Sequence, residues 1–256
     1  MTQFQSGADA LNALNGSNED AGKKAEFASF KSGTTYKVRV LGTADLIQFY
    51  SYGVYRKVNS FVAKNPSKKN AKGFPVENLT PWDKAFDYYQ KLKFKARDTG
   101  DSKAEEEYGN LAYQFKPKER FALGFIDLAT GEPIIIDLSK KQAQGVHAVI
   151  TKFAKKLDKV AFELAKQGSG QATTVTLTPF IDMDEDLTDK ERDNFAKYDG
   201  KGFDMALFDG LLYEADEKEQ IENLAKAGFD ISLIGLSIGG ADGTQKDDIE
   251  DEDLPF

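Results

Sequence analysis

Two stretches of the chain interleave aromatic rings with cations: "YSYGVYRKVNSF" at 50–61 and "DYYQKLKFKAR" at 87–97. From Lys31 to Arg97 there are 14 Lys plus Arg against 4 Asp plus Glu, a net of +10, with 12 aromatic residues among them. Those residue types suit one polyanion above others. An unstacked nucleic-acid strand needs cations that track its phosphates and ring faces that accept its bases, at ~1–3 kcal/mol per stacked base. The phosphate candidates are Lys37, Arg39, Arg56, Lys57, Lys64, Lys68, Lys69, Lys91, Lys93 and Lys95. The stacking candidates are Phe49, Tyr55, Phe61, Trp82 and Tyr88, with at least half of all these rings expected in the core.

The whole chain carries −8, an average over two opposite halves. From Asp98 onward there are 18 basic and 34 acidic residues, a net of −16. The asymmetry, more than the total, bears on partners.

Other chemistries find little material. The 256 residues contain no cysteine, which excludes disulfides, thiol catalysis and cysteine-ligated zinc. His147 is the only histidine and reads as an ordinary helix-flank residue. In "DMDEDLTDKERD", Asp182, Asp184 and Asp186 stand at alternate positions, but an EF-hand loop needs glycine at the sixth place and glutamate at the twelfth, where Leu187 and Asp193 stand. A charged helix start is the expectation there, and no metal and no cofactor are expected. No glycine-rich phosphate loop with its lysine is present.

Elements must position these residues. "TTYKVRVLG" alternates apolar and basic residues as a strand does. "QFYSYGVYRKVNSFVAK" alternates as well, with Tyr50, Tyr52, Val54, Arg56, Val58 and Val62 on one face and Phe49, Tyr55, Lys57, Asn59 and Phe61 on the other, and Gly53 as a bulge or bend. Thr80 and Pro81 open a helix through "TPWDKAFDYYQKLKFKAR", in which Trp82, Lys84, Tyr88, Lys91 and Lys95 share one side and Phe86, Tyr89 and Leu92 the other. A second helix runs from Ser102, its cap, to about Gln114. The hairpin "RFALGFIDLATGEPIIIDLS", an amphipathic helix over 139–157, two strands around Gly168–Gly170, an acidic helix capped by Thr188 and Glu191, and a last strand in "FDISLIGLSIGG" complete the body. The order predicts an α+β, mainly β fold: a five-stranded Greek-key barrel of the OB type with a helix closing one end. Its divisions are a flexible arm at 1–26, a core domain at 27–238 with a helical insertion near 63–120, and a disordered acidic tail at 239–256.

The chain ends "DDIEDEDLPF", six acids in seven residues followed by Leu254, Pro255 and Phe256. Chemically this is a tethered ligand whose carboxylates steer and whose ring fills a pocket. It resembles the C-terminal tip of bacterial single-stranded DNA-binding proteins. The resemblance implies that Asp251, Glu252, Asp253, Leu254, Pro255 and Phe256 recruit replication or recombination proteins such as a polymerase, helicase, primase or nuclease. The body, over residues 27–180, is similar to phage single-stranded DNA-binding proteins of the T-even type in its opening strand "TTYKVRVLG", long insertion and "RFALGFIDLATGEPIIIDLSKKQ". That family implies an OB-fold core, a basic and aromatic groove, and in some members a zinc subdomain whose cysteine ligands this chain lacks.

The expected function is therefore non-enzymatic coating of single-stranded DNA during phage replication, recombination and repair. The alternative is a mediator that anneals complementary strands; a nuclease acting through the acids of 182–193 and a pure adaptor working through its tail are more distant readings. No signal peptide and no apolar run of membrane length appear, so a cytoplasmic setting, that of the host cell for a phage product, is expected and no membrane partner is.

Overall fold

A computed structural model describes residues 26–238. The expected N-terminal arm, save its last residue, and the acidic tail lie outside the described residues. Ten strands and six α-helices are present among the described residues. Hydrogen bonding from strand to strand follows the order β10-β3-β2-β6-β1-β8-β9, with β7 on β6, giving eight strands in one mixed sheet, while β4 and β5 form a separate pair. The strands are β1 Thr35–Arg39, β2 Leu46–Val54, β3 Val58–Ala63, β4 Lys68–Lys69, β5 Pro75–Glu77, β6 Lys118–Asp127, β7 Glu132–Ser139, β8 Phe162–Gln167, β9 Thr174–Pro179 and β10 Glu214–Ala215.

This corrects the expectation of a five-stranded closed barrel. Among the described residues β9 bonds only to β8, β7 only to β6 and β10 only to β3, so the sheet ends on three strands and does not close. Closure depends on pairing between remote strands, which local alternation does not encode.

The chain divides into two compact units. Among the described residues, one holds 26–51 together with Lys118–Tyr213; the other holds Tyr52–Pro117 and 214–238. In the first unit, β6 pairs with β7 from Arg120 to Asp127, as the "ATGE" turn predicts, and its other edge is shared between β2 and β1. Helix α3, Lys140–Lys152, opens with the capping box Ser139–Gln142 and buries Ala143, Val146 and Ile150 among Val38, Phe125, Leu138 and Phe162. Two short helices, α4 at Met183–Asp186 and α5 at Asp189–Ala196, follow; Thr188 and Glu191 form the expected capping box.

In the second unit, Gly53 at φ 146° marks a register shift, the expected bulge, and the chain then reverses through Tyr55–Lys57 into β3. The stretch read as one alternating strand is thus a hairpin, and Phe61 returns opposite Tyr52 on the same buried face, their rings 5.6 Å apart. Helix α1, Pro81–Asp98, begins as expected with the Thr80 side chain accepting from Asp83 N. Helix α2, Ser102–Phe115, is capped by Asp101, one residue before the expected Ser102. The region 199–228 carries an unforeseen α6, Glu217–Ala227, and β10, which pairs parallel to β3. The expected last strand is instead a 3-10 turn, Ile231–Ile234: the Asp230 side chain accepts from Ser232 N, and Gly235 stops the turn at φ 72°.

Candidate nucleic-acid interface

Several sequence candidates turn inward. Trp82 is 0% exposed; its Nε1 donates to the Gln220 carbonyl at 3.0 Å, and its ring meets Phe61 at 5.4 Å and Phe115 at 5.7 Å. At 100° per residue Trp82 lies on the far side of α1 from Lys84, Lys91 and Lys95, so the shared face assigned to them does not hold. Phe61 is buried beside it. Tyr88 packs edge-on against Tyr89 and Phe229, and Phe49 rests on Phe27 at 6.4 Å; both are half-buried.

Two cations are internal braces in the first unit. Lys37 Nζ donates to the Asp186 carbonyl at 2.8 Å and pairs with Glu191 at 3.0 Å. Arg39 is buried, its guanidinium 4.1 Å from the centre of the Phe195 ring and paired with Asp199 at 2.8 Å, with a further donation to the Phe195 carbonyl. Both hold the acidic 183–199 segment to β1 and are withdrawn from phosphate. Lys69 is half-buried, its ammonium donating to Ser67 Oγ at 3.2 Å; burial pushes its pKa down while the Asp83 carboxylate pulls the other way.

The remaining candidates stay at the surface. Lys64, Lys68, Lys91 and Lys95 are exposed, although Lys68 pairs with Glu77 and Lys91 with Asp87, both at 2.8 Å. At the hairpin turn, Tyr55 and Arg56 are exposed, and Lys57 Nζ donates to the Ala227 carbonyl at 3.1 Å. Lys93 is half-buried: its Cδ and Cε would meet a Cβ on Gly109 at 3.7 Å, so it lies along α2, away from Lys91 and Lys95.

That placement exposes a strip that the sequence reading passed over. Phe86, Gln90 and Phe94 follow one another at four-residue steps on α1, over an axial rise of about 12 Å. Phe74, from the loop between β4 and β5, stacks on Phe86 at 6.3 Å and 16° and leaves its own ring 38% exposed. Lys116 Nζ lies 5.2 Å from the Phe74 ring. Phe94 is 48% exposed, with the Arg97 guanidinium 5.1 Å from its centre, and Arg97 is one turn beyond Lys93. On α2, Tyr113 is 70% exposed, one turn after Gly109 and three residues before Lys116. Two open rings, Phe94 and Tyr113, and the cations Lys93, Arg97 and Lys116 therefore belong to the α1–α2 hairpin, and Phe74 leans on it through Phe86. Arg97 also donates to Asp98 at 2.9 Å, a contact a phosphate would have to share.

A buried polar knot fixes this surface from below. Asp83 is 0% exposed and accepts from Ser67 Oγ at 2.6 Å and from Tyr52 Oη at 3.0 Å. It joins β2, the entry to β4 and the first turn of α1. Burial, and then the Asp83 charge, drive the Tyr52 hydroxyl far above its ordinary pKa, so it stays a donor. The signal for the strip was present in the sequence: Phe94 stands on the opposite side of α1 from the apolar stripe Ala85, Tyr89, Leu92 and Ala96, where a packed ring is not expected.

His147 is half-buried and hydrogen-bonded to the Thr43 carbonyl at 2.9 Å. In the acidic stretch, the Asp182 side chain is occupied by Asp184 N and Glu185 N, and no group of three metal-ligating side chains is found among the described residues. Among those residues, too, no helix is long and apolar enough to cross a membrane. The chain matches no family model, no curated protein and no solved structure.

Proposed function

We propose that this protein binds single-stranded DNA without sequence preference, coats it during phage DNA replication, recombination and repair in the host cytoplasm, and acts by binding alone. The observation that carries the reading is the surface of the α1–α2 hairpin, where exposed Phe94 lies against Arg97, Phe74 packs on Phe86 beside Lys116, and Lys93 and exposed Tyr113 belong to the same pair of helices. Bases stack on any aromatic face, and cations follow any phosphate, so such a surface selects unpaired strands over particular sequences. Lys64, Lys68, Lys91 and Lys95 remain exposed elsewhere in the same unit and extend the positive surface. In this proposal Asp251–Phe256 recruits replication or recombination proteins, on the strength of its residue pattern.

The test is a titration of labelled oligo(dT) with full-length protein. Phe94→Ala weakens binding by about 5- to 100-fold, the loss of one stacked base, without changing the unfolding midpoint. Removing Asp251–Phe256 leaves the affinity intact or raises it, because those residues are acidic. Affinity that is indifferent to Phe94 and Tyr113 sinks the assignment of the strip. Affinity that collapses with the acidic segment contradicts its role as a partner element.

A further inference from the structure

The turn between β2 and β3 is built differently from the strip. Tyr55 is 84% exposed, the most exposed aromatic ring among the described residues. The neighbouring Arg56 guanidinium lies 5.1 Å from the ring centre. One face of the ring is thus attended by a cation and the other is open.

The turn that carries it is held firmly. Lys57 N donates to the Val54 carbonyl at 2.9 Å, closing the loop, and Lys57 Nζ anchors to the last carbonyls of α6 through Ala227 at 3.1 Å. A cation at a helix C-terminus also meets the negative end of its dipole. Gly53, with its φ of 146°, places a bulge two residues before Tyr55, and bulges re-aim the side chains that follow. Arg56 has φ 63°, a left-handed conformation that a long side chain enters at a cost and that persists where the surroundings impose it. The outlier sits where it brings the guanidinium against Tyr55.

We infer that Tyr55, with Arg56 and Lys57, is a second nucleic-acid contact that caps the last base pair where a duplex gives way to single strand. The inference rests on the proposed single-strand binding. A continuous unstacked strand is served by consecutive rings, as on α1–α2. This hairpin offers one open ring face, since Tyr52 and Phe61 are buried. A single outward face on a turn braced by Lys57 matches the single exposed base-pair face at a junction, and the Arg56 guanidinium beside it meets a flanking phosphate. The wide apolar face of a terminal base pair is the ligand; an isolated phosphate would need the cation and not the ring.

The test compares two probes of equal single-stranded length on full-length protein: an oligo(dT), and a duplex with a dT overhang carrying fluorescent aminopurine in its junction base pair. Wild type prefers the junction and changes the aminopurine signal. Tyr55→Ala removes that preference, a loss of about 5- to 100-fold for one stacked face, and abolishes the signal while oligo(dT) affinity stays unchanged. Tyr55→Phe keeps the preference and Tyr55→Leu does not. A wild type that binds oligo(dT) but shows no junction preference, or a Tyr55→Ala that retains it, overturns the inference and leaves the single-strand reading standing. Failure to bind either probe overturns both.

Discussion

Trp82 and Phe94 belong to the same helix and have opposite fates. Trp82 is enclosed by Phe61, Phe115 and Tyr52, and truncation to alanine there is expected to cost about 3–5 kcal/mol. Phe94 stands in solvent, and its truncation is expected to cost less than about 0.5 kcal/mol. Urea unfolding of the two variants measures the difference; similar losses would place Phe94 in the core and remove it from the proposed interface. Asp83→Ala removes the acceptor of the buried Tyr52 and Ser67 hydroxyls and is expected to lower stability by about 1–3 kcal/mol for each donor left without one. The residue types needed for a nucleic-acid surface were legible, but their assignment was only partly so. Trp82, Phe61 and Arg39 carry the right chemistry at positions that packing claims, and no count of rings and cations reveals that. Phe94 was legible in principle from its angle on α1.

At the scale of elements, the helix starts were the clearest signals. Thr80 with Pro81 and Thr188 with Glu191 are local motifs whose hydrogen bonds close within one turn, so the sequence is enough. The reversal at Tyr55–Lys57 was not recognised because its residues lack the glycine or asparagine of common hairpin turns, and Arg56 takes the left-handed conformation itself. Helix α5 shows how a charged element serves the fold. Burial pushes the Glu191 carboxyl up, but hydrogen bonds from the Thr188 backbone and from Lys37 outweigh it and hold the group below the usual glutamate range. Its ionised form therefore favours the folded chain. That contribution is complete above the ordinary glutamate value and is lost as pH falls through the depressed folded value. Glu191→Gln is expected to flatten the acid limb of a pH-stability profile. An unchanged profile would show that the Lys37–Glu191 pair does not brace the segment.

At the scale of the molecule, the positive charge is concentrated between Lys31 and Arg97 while the rest of the chain is acidic. The division of the chain into units was harder to read, because β10 and α6 join the second unit from more than a hundred residues downstream of β3. The sheet is open where the strand order predicted a closed barrel. The proposed binding surface lies on the α1–α2 hairpin, and its cations would make binding salt-dependent. The most direct measurement is the oligo(dT) affinity of the wild type and of a Lys93→Ala, Arg97→Ala, Lys116→Ala triple variant across a series of salt concentrations. If the three cations contact phosphates, the triple variant loses about 2 from the slope of log affinity against log salt, near 0.7 per contact on single strands. Equal slopes for the two proteins would contradict the account.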